Sequence, residues 1–253
     1  MKATRRGLLL AAAAAAAAVA AGGALASGSL EVTRLDWRLG RRVAVLVDLH
    51  LHGPPRRDLV EALHALKPSL VVLAGDVVDE LTPGFDALPG WLSRLLPGGS
   101  EGLAVPGNHE HYLARSGRLS LARLGRLLSE AGFTLLSDGV LEAGGLRVAG
   151  VDWRDDPRGY AEAVARLEAL EPTLVVAHSP DVFPHASRGR WVAGHTHGGQ
   201  VCLPGARSVV TNSLYGFRWG LYRRGAATLY VSRGLGEMLP PRLYCPHQLL
   251  VID

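Results

Sequence analysis

The sequence predicts an α/β domain with mixed strand directions, and three observations carry that expectation. Short apolar runs such as VAVLV and LVVLA, rich in β-branched residues, read as strands buried on both faces. Segments with apolar residues at helical spacing alternate with them. The runs end in aspartate, asparagine or histidine, often beside glycine. That is the pattern expected where strand ends deliver polar groups to one rim of a sheet.

Taken in chain order, residues 1–26 read as an address. Lys2, Arg5 and Arg6 precede an uncharged run from Gly7 to Leu25, and Ala24-Leu25-Ala26 forms a cleavage pattern, the form of a twin-arginine signal peptide. A cleaved signal implies export to the periplasm or to the outer face of the membrane or cell wall, through the export machinery. An uncleaved anchor is the alternative, although the run is mostly alanine and is interrupted by Gly22-Gly23. The folded domain is expected over residues 31–253.

Residues 43–47 form the first expected strand and end at Asp48-Leu49-His50, with helical spacing over 56–66. Residues 70–74 form the second and end at Gly75-Asp76. Residues 84–96 read two ways: a short helix packing Trp91 and Leu95 on the sheet, or an apolar flap suited to a lipid-linked phosphate. Residues 103–105 lead into Gly107-Asn108-His109, and 120–131 has the spacing of an amphipathic helix. Strands are expected over 134–137 and 140–153, with turns at Asp138-Gly139 and Gly144-Gly145. Residues 173–177 end at His178, and RWVA leads to His195 and His197. Residues 215–222, YGFRWGLY, offer aromatics around Arg218 for an acyl chain, sugar or phosphate, or else form a sheet edge. AATLYVSRG and HQLLVID alternate as strands.

The 253 residues suffice for one sizeable core, and 48% apolar with 20% charged composition argues against general disorder. Removing the leader lowers the formal charge from +4 to +1, and the scattered arginines give no basic face for nucleic acid. Two cysteines, Cys202 and Cys245, exclude a cysteine-built zinc module and leave either one disulfide or two thiols.

In an extended segment, positions i and i+2 point the same way, so His195 and His197 are expected to reach one site from one stretch of backbone. An isolated His-x-His also fits an exposed loop. The pair therefore needs partners, and the other strand ends supply them.

Asp48-x-His50, Gly75-Asp76-x-x-Asp79, Gly107-Asn108-His109-Glu110, His178 and Gly194-His195-x-His197, in this order, resemble the calcineurin-like metallophosphoesterases. HSPD at 178–181, GHTHGGQV at 194–201, YVSRGLG at 230–236 and RLYCP at 242–246 are similar to the exported twin-arginine subgroup. That subgroup includes phosphodiesterases and enzymes similar to UDP-diacylglucosamine pyrophosphatases. The resemblance implies a sandwich of mixed β-sheets flanked by helices. It implies one divalent ion held by Asp48, His50, Asp76 and His197, and a second held by Asp76, Asn108, His178 and His195. Nitrogen and oxygen ligands without thiolate suit Mn, Fe or Zn. His109 is implied to be the acid that protonates the leaving oxygen, with Glu110 supporting it by a hydrogen bond. Asp79 is expected to orient ligands from behind, and Arg218 to meet substrate. Asp181 is expected to cap the segment after His178. His52 and His111 are expected at the rim, His64 in a helix, and His185 and His247 in loops.

The implied activity is hydrolysis of a phosphodiester or pyrophosphate in a small-molecule or lipid-linked substrate, with possible contact to a membrane surface. The alternatives are a phosphomonoesterase, or an exported metal-binding or interaction protein without turnover.

Overall fold

The computed structural model describes residues 28–205 and 207–253; the expected signal, residues 1–26, lies outside the described residues. Strands β1 (Leu30–Leu35) and β2 (Val43–Leu46) precede helix α1 (Arg57–Leu66), and β3 (Leu70–Ala74) precedes the short α2 (Leu88–Leu92). After β4 (Glu101–Val105) come α3 (Asn108–Arg115) and α4 (Leu121–Glu130). Strands β5 (Phe133–Leu135), β6 (Gly139–Ala143) and β7 (Leu146–Val151) lead to α5 (Tyr160–Glu168), and β8 (Leu174–Ala177) and β9 (Arg188–Ala193) follow. The chain closes with a small hairpin, β10 (Cys202–Leu203) and β11 (Arg207–Ser208), and with β12 (Gly220–Arg224), β13 (Ala226–Val231) and β14 (His247–Ile252).

Two six-stranded mixed sheets, ordered β1-β14-β2-β3-β4-β5 and β12-β13-β9-β8-β7-β6, stack face to face. The period of two in the apolar runs builds the sandwich. Val43, Val45, Leu70 and Val72 point into the core between the sheets, while Ala44, Leu46, Val71 and Leu73 point outward under the helices. A register slip of one residue would exchange these two sets, but both faces are apolar, so helix packing must settle the register. Outside the first sheet, α4 presents Leu124, Leu127 and Leu128 as one buried stripe, and Ser120 caps it by accepting the Arg123 N–H at 3.2 Å. Outside the second sheet, α5 packs Tyr160, Val164 and Leu167 on a third cluster around Trp191. The result is an α/β sandwich of mixed sheets flanked by helices, as expected.

Residues 84–96 pack as a helix rather than standing out as a flap. Leu88, Leu92 and Leu95 are fully buried, and Trp91 lies partly buried against them. Of the aromatic segment 215–222, the last three residues lie in the edge strand β12. Asp181 caps nothing: Ser179 accepts the Asp181 N–H at 3.2 Å, while the Asp181 carboxylate holds Ser213 Oγ and the Leu214 N–H. His247 opens β14 rather than lying in a loop, and His185 ends a short 3-10 helix. Among the described residues, no helix is long and apolar enough to cross a membrane.

Candidate metal centre

Five chain segments leave the two sheets at a common rim. β2 passes to Asp48 and His50, β3 to Asp76, β4 to Asn108 and His109, β8 to His178, and β9 to His195 and His197. Their side chains converge on Asp76. Its Oδ2 lies 3.2 Å from His178 Nε2, 3.8 Å from His50 Nε2 and 4.0 Å from His109 Nε2. His178 Nε2 is also 2.9 Å from Asn108 Oδ1 and 3.1 Å from His195 Nδ1. The Asp48 carboxylate accepts the His195 backbone N–H at 3.0 Å and lies 3.4 Å from His178 Nδ1. The His50 and His197 rings are 5.1 Å apart.

Left-handed backbone makes this convergence possible. Asp48 (φ 51), His50 (φ 43), Asp76 (φ 49), His195 (φ 68) and His197 (φ 50) all have positive φ, at roughly 1–2 kcal/mol each for an L-residue. Strain concentrated at strand ends marks a functional rim. It also corrects the expected geometry of His195 and His197. The strand ends at Ala193, and the two imidazoles leave the turn toward different partners, His178 and His50. Gly75 and Gly107 bring the backbone close: a Cβ on the first would collide with the His178 ring, and on the second with the Asp76 carboxylate.

Behind the rim, oxygen atoms fix the imidazoles. His50 Nδ1 meets Asp79 Oδ2 at 2.8 Å, His178 Nδ1 meets the Ala74 carbonyl at 3.2 Å, and His197 Nδ1 meets the Gly236 carbonyl at 3.1 Å. Assigning each Nδ1 as the donor leaves each Nε2 with its lone pair. His50 Nε2 is buried with no hydrogen-bond partner among the described residues. The His178 Nε2 lone pair faces the oxygens of Asn108 and Asp76. Acceptors crowded on acceptors call for a cation, so the residues fit divalent metal. Among the described residues, two groups have their donor atoms mutually within 4.8 Å: His50, Asp76 and His109, and Asp76, His178 and His195. Asp76 belongs to both.

The electrostatics agree with a cation site. Burial raises the Asp48 carboxyl to about 6, against the pull of His178. Burial also pushes Asp76 upward, but the charge and hydrogen bond of His178 outweigh it and hold Asp76 well below the usual carboxylate range. His178 is depressed by burial yet lifted by Asp76 to about 9. Burial, then repulsion from His178, takes His195 down to about 3, and burial takes His197 well below its ordinary value. A proton on His178 thus occupies the place a cation would take.

A family model described as calcineurin-like phosphoesterase matches residues 41–199. The chain belongs to this family. It is a phosphoric ester hydrolase. This phosphoesterase is 29% identical over 221 residues to an uncharacterized metallophosphoesterase of Aquifex aeolicus (strain VF5), covering 81% of each chain. It is 28% identical to the phosphodiesterase YaeI of Escherichia coli (strain K12), covering 84% of this chain and 81% of that one. The uncharacterized metallophosphoesterase YkuE of Bacillus subtilis (strain 168) is 27% identical, with 84% and 78% covered. Among solved structures, a 5'-nucleotidase precursor from Thermus thermophilus superposes with a TM-score of 0.48 at 17% identity, over 76% of this chain and 48% of that one. The phosphoesterase spans about half the length of that structure.

Glu110 and His52 stand elsewhere than expected, while Asp79 lies behind His50 as expected. Glu110 does not touch the His109 ring. Its carboxylate accepts the N–H groups of Asp76 (3.0 Å), Val77 (2.7 Å), Val78 (3.2 Å) and Gly107 (2.7 Å), binding the loops after β3 and β4 together. The partner of His109 is Glu80, with Oε2 2.5 Å from Nδ1. Asp79 lies behind His50 and also meets His52 Nε2 at 2.9 Å, so His52 belongs to this support. Its carboxyl, raised by burial but lowered more by His50 and His52, sits at about 2. Arg218 has an exposed side chain, and its backbone carbonyl accepts the Thr196 hydroxyl at 2.6 Å. His111 pairs with Asp152 at 2.7 Å, and His64 is exposed and reaches the Arg94 carbonyl. Cys202 and Cys245 are buried thiols in mutual contact, not joined as a disulfide.

Other contributors escaped the sequence reading. Trp153 packs its ring 5.1 Å from that of His195. Asn212 donates to the His195 carbonyl at 3.0 Å, and buried Arg242 donates to the Gly236 carbonyl that also takes His197. Glu80 had a local signal, an extra carboxylate directly after Asp79; for the others no spacing rule links them to the motifs.

Proposed function

We propose that this phosphoesterase hydrolyses a phosphodiester or pyrophosphate bond, in a lipid-linked substrate, outside the cytoplasm. Asp48, His50, Asp76, Asn108, His178, His195 and His197 would hold two divalent ions. The observation that carries the reading is Asp76, whose carboxylate belongs to two adjoining donor groups. Two bound divalent ions supply Lewis acidity toward a phosphoryl oxygen and lower the pKa of water for in-line attack.

The chain's own residues do the rest. His109 presents Nε2 beside Asp76 while Glu80 holds Nδ1, so a proton on Nε2 is aimed at a leaving oxygen. Glu110 keeps the Asp76 and Asn108 loops in mutual register through four backbone N–H groups. Asp79 and the Gly236 carbonyl fix the faces of His50 and His197. The name of the YaeI relative supports a diester over a monoester.

A hydrolysis screen of monoesters, diesters and nucleotide-diphosphate-linked lipids, with metal content measured on the same preparation, tests the reading. Turnover of diesters or pyrophosphates with bound metal is expected. Metal binding without turnover of any ester would overturn it in favour of an exported metal-binding protein. Export is tested by replacing Arg5 and Arg6 with lysine and sequencing the N-terminus from envelope and soluble fractions. A mature chain starting near Ser27, lost in the variant, is expected; a full-length membrane-bound chain would mean an anchor.

A further inference from the structure

We propose that residues 199–205 and 207–215, together with Leu239, form a surface that docks on an anionic lipid bilayer and sets the mouth of the metal centre at headgroup depth. The inference rests on the lipid-linked reading of the substrate and names the part of the molecule that meets the lipid.

Thirteen large apolar side chains are exposed among the described residues, and six of them crowd this segment: Val201, Leu203, Val209, Val210, Leu214 and Tyr215. Leu214 is 73% exposed and Val210 59%. Leu239 joins them, because Gln200 Nε2 donates to its carbonyl at 2.5 Å. Single exposed apolar residues are ordinary on any protein, whereas a cluster of this density marks a surface that is covered in use.

The charge pattern chooses the cover. From Val182 to Gly236 the chain carries seven arginines and no aspartate, glutamate or lysine. Two of the arginines, Arg207 and Arg218, are exposed within or beside the apolar cluster. Apolar side chains entering the acyl boundary, with guanidinium groups among headgroup phosphates, are what an anionic bilayer accepts. A second copy of the same surface would bring arginine against arginine.

The surface is fastened to the metal centre. Asn212 donates to the His195 carbonyl at 3.0 Å, and the Thr196 hydroxyl donates to the Arg218 carbonyl at 2.6 Å. The buried Asp181 carboxylate holds Ser213 and Leu214. A cavity of about 180 Å³ has both His197 and the exposed Val210 in its lining, with Asn212 beside them. A phosphate ester held in the bilayer surface would therefore lie close to the candidate ligands.

The test is vesicle co-sedimentation of the mature chain isolated after export. Phosphatidylglycerol-rich vesicles are compared with pure phosphatidylcholine, for the wild type and for Val209→Asp with Leu214→Asp. The wild type is expected to favour the anionic vesicles by about 10-fold, less at high salt, and the double variant to lose binding while cleaving a soluble diester at the wild-type rate. Equal partitioning of variant and wild type, or no vesicle binding, overturns the proposal. So does a concentration-dependent dimer that the double variant abolishes. Turnover of the soluble diester without vesicle binding removes the docking surface alone; vesicle binding without any turnover removes the hydrolase reading alone.

Discussion

Glu80 and His109 meet across two loops, Oε2 lying 2.5 Å from Nδ1, while the other ring nitrogen of His109 lies 4.0 Å from Asp76 Oδ2. A carboxylate on one nitrogen fixes the orientation of the ring. The opposite nitrogen is thereby presented to the centre as a proton donor.

This arrangement makes His109→Ala a sensitive probe. Both ions are expected to stay, and the rate on an alkyl ester to fall by about 10²–10⁴, because an alkoxide needs a proton as it leaves. A nitrophenyl ester should lose clearly less. Glu80→Gln should lower kcat about 10-fold on the alkyl ester with KM unchanged, and adding it to His109→Ala should cost little more. Equal losses on the two esters would make His109 a substrate-positioning residue, and loss of an ion would make it a ligand, in keeping with its place beside His50 and Asp76.

Glu110 is expected to matter for stability before chemistry. In Glu110→Gln the amide nitrogen replaces one oxygen and faces backbone N–H groups, orphaning two buried donors at a cost of about 2–6 kcal/mol. Urea unfolding of the metal-free chain measures this directly. A change under about 0.5 kcal/mol, the scale of an ordinary surface substitution, would contradict the role assigned to its four contacts.

Metal uptake should release a proton. In the metal-free chain burial lowers His178, but Asp76 and Asp48 lift it to about 9, above its ordinary 6.5. Its contribution to the metal-free fold is therefore fully present below pH 6.5 and fades as pH rises through about 9. A cation on Nε2 requires the neutral ring, so loading at pH 7 should release about one proton from this residue, and far less at pH 10. Titration with a pH indicator during loading reads it. Equal release at the two pH values would contradict the assignment.

The strand ends were legible because apolar runs of fixed period stop abruptly at Asp48, Asp76 and His178, and position along the chain alone reports that. The directions of His195 and His197 are not legible, because both residues take left-handed φ where the apolar run points to extended backbone. Sequence adjacency pairs Glu110 with His109, but a helix turns successive side chains about 100° apart, and Glu110 faces inward to the β3 loop instead. Asp79 could be read as a support because it shares a loop with Asp76. Asn212 and Arg242 act from segments distant in sequence, and only tertiary packing brings them to His195 and His197.

If Asp76 serves both ions of one centre, its loss should empty both sites, and elemental analysis of Asp76→Ala beside His50→Ala and the wild type reads this. The wild type is expected to carry about two ions per chain, His50→Ala to keep about one, and Asp76→Ala to keep almost none and to lose diester hydrolysis. An Asp76→Ala chain that still holds two ions would contradict the shared carboxylate and the two-ion centre built on it.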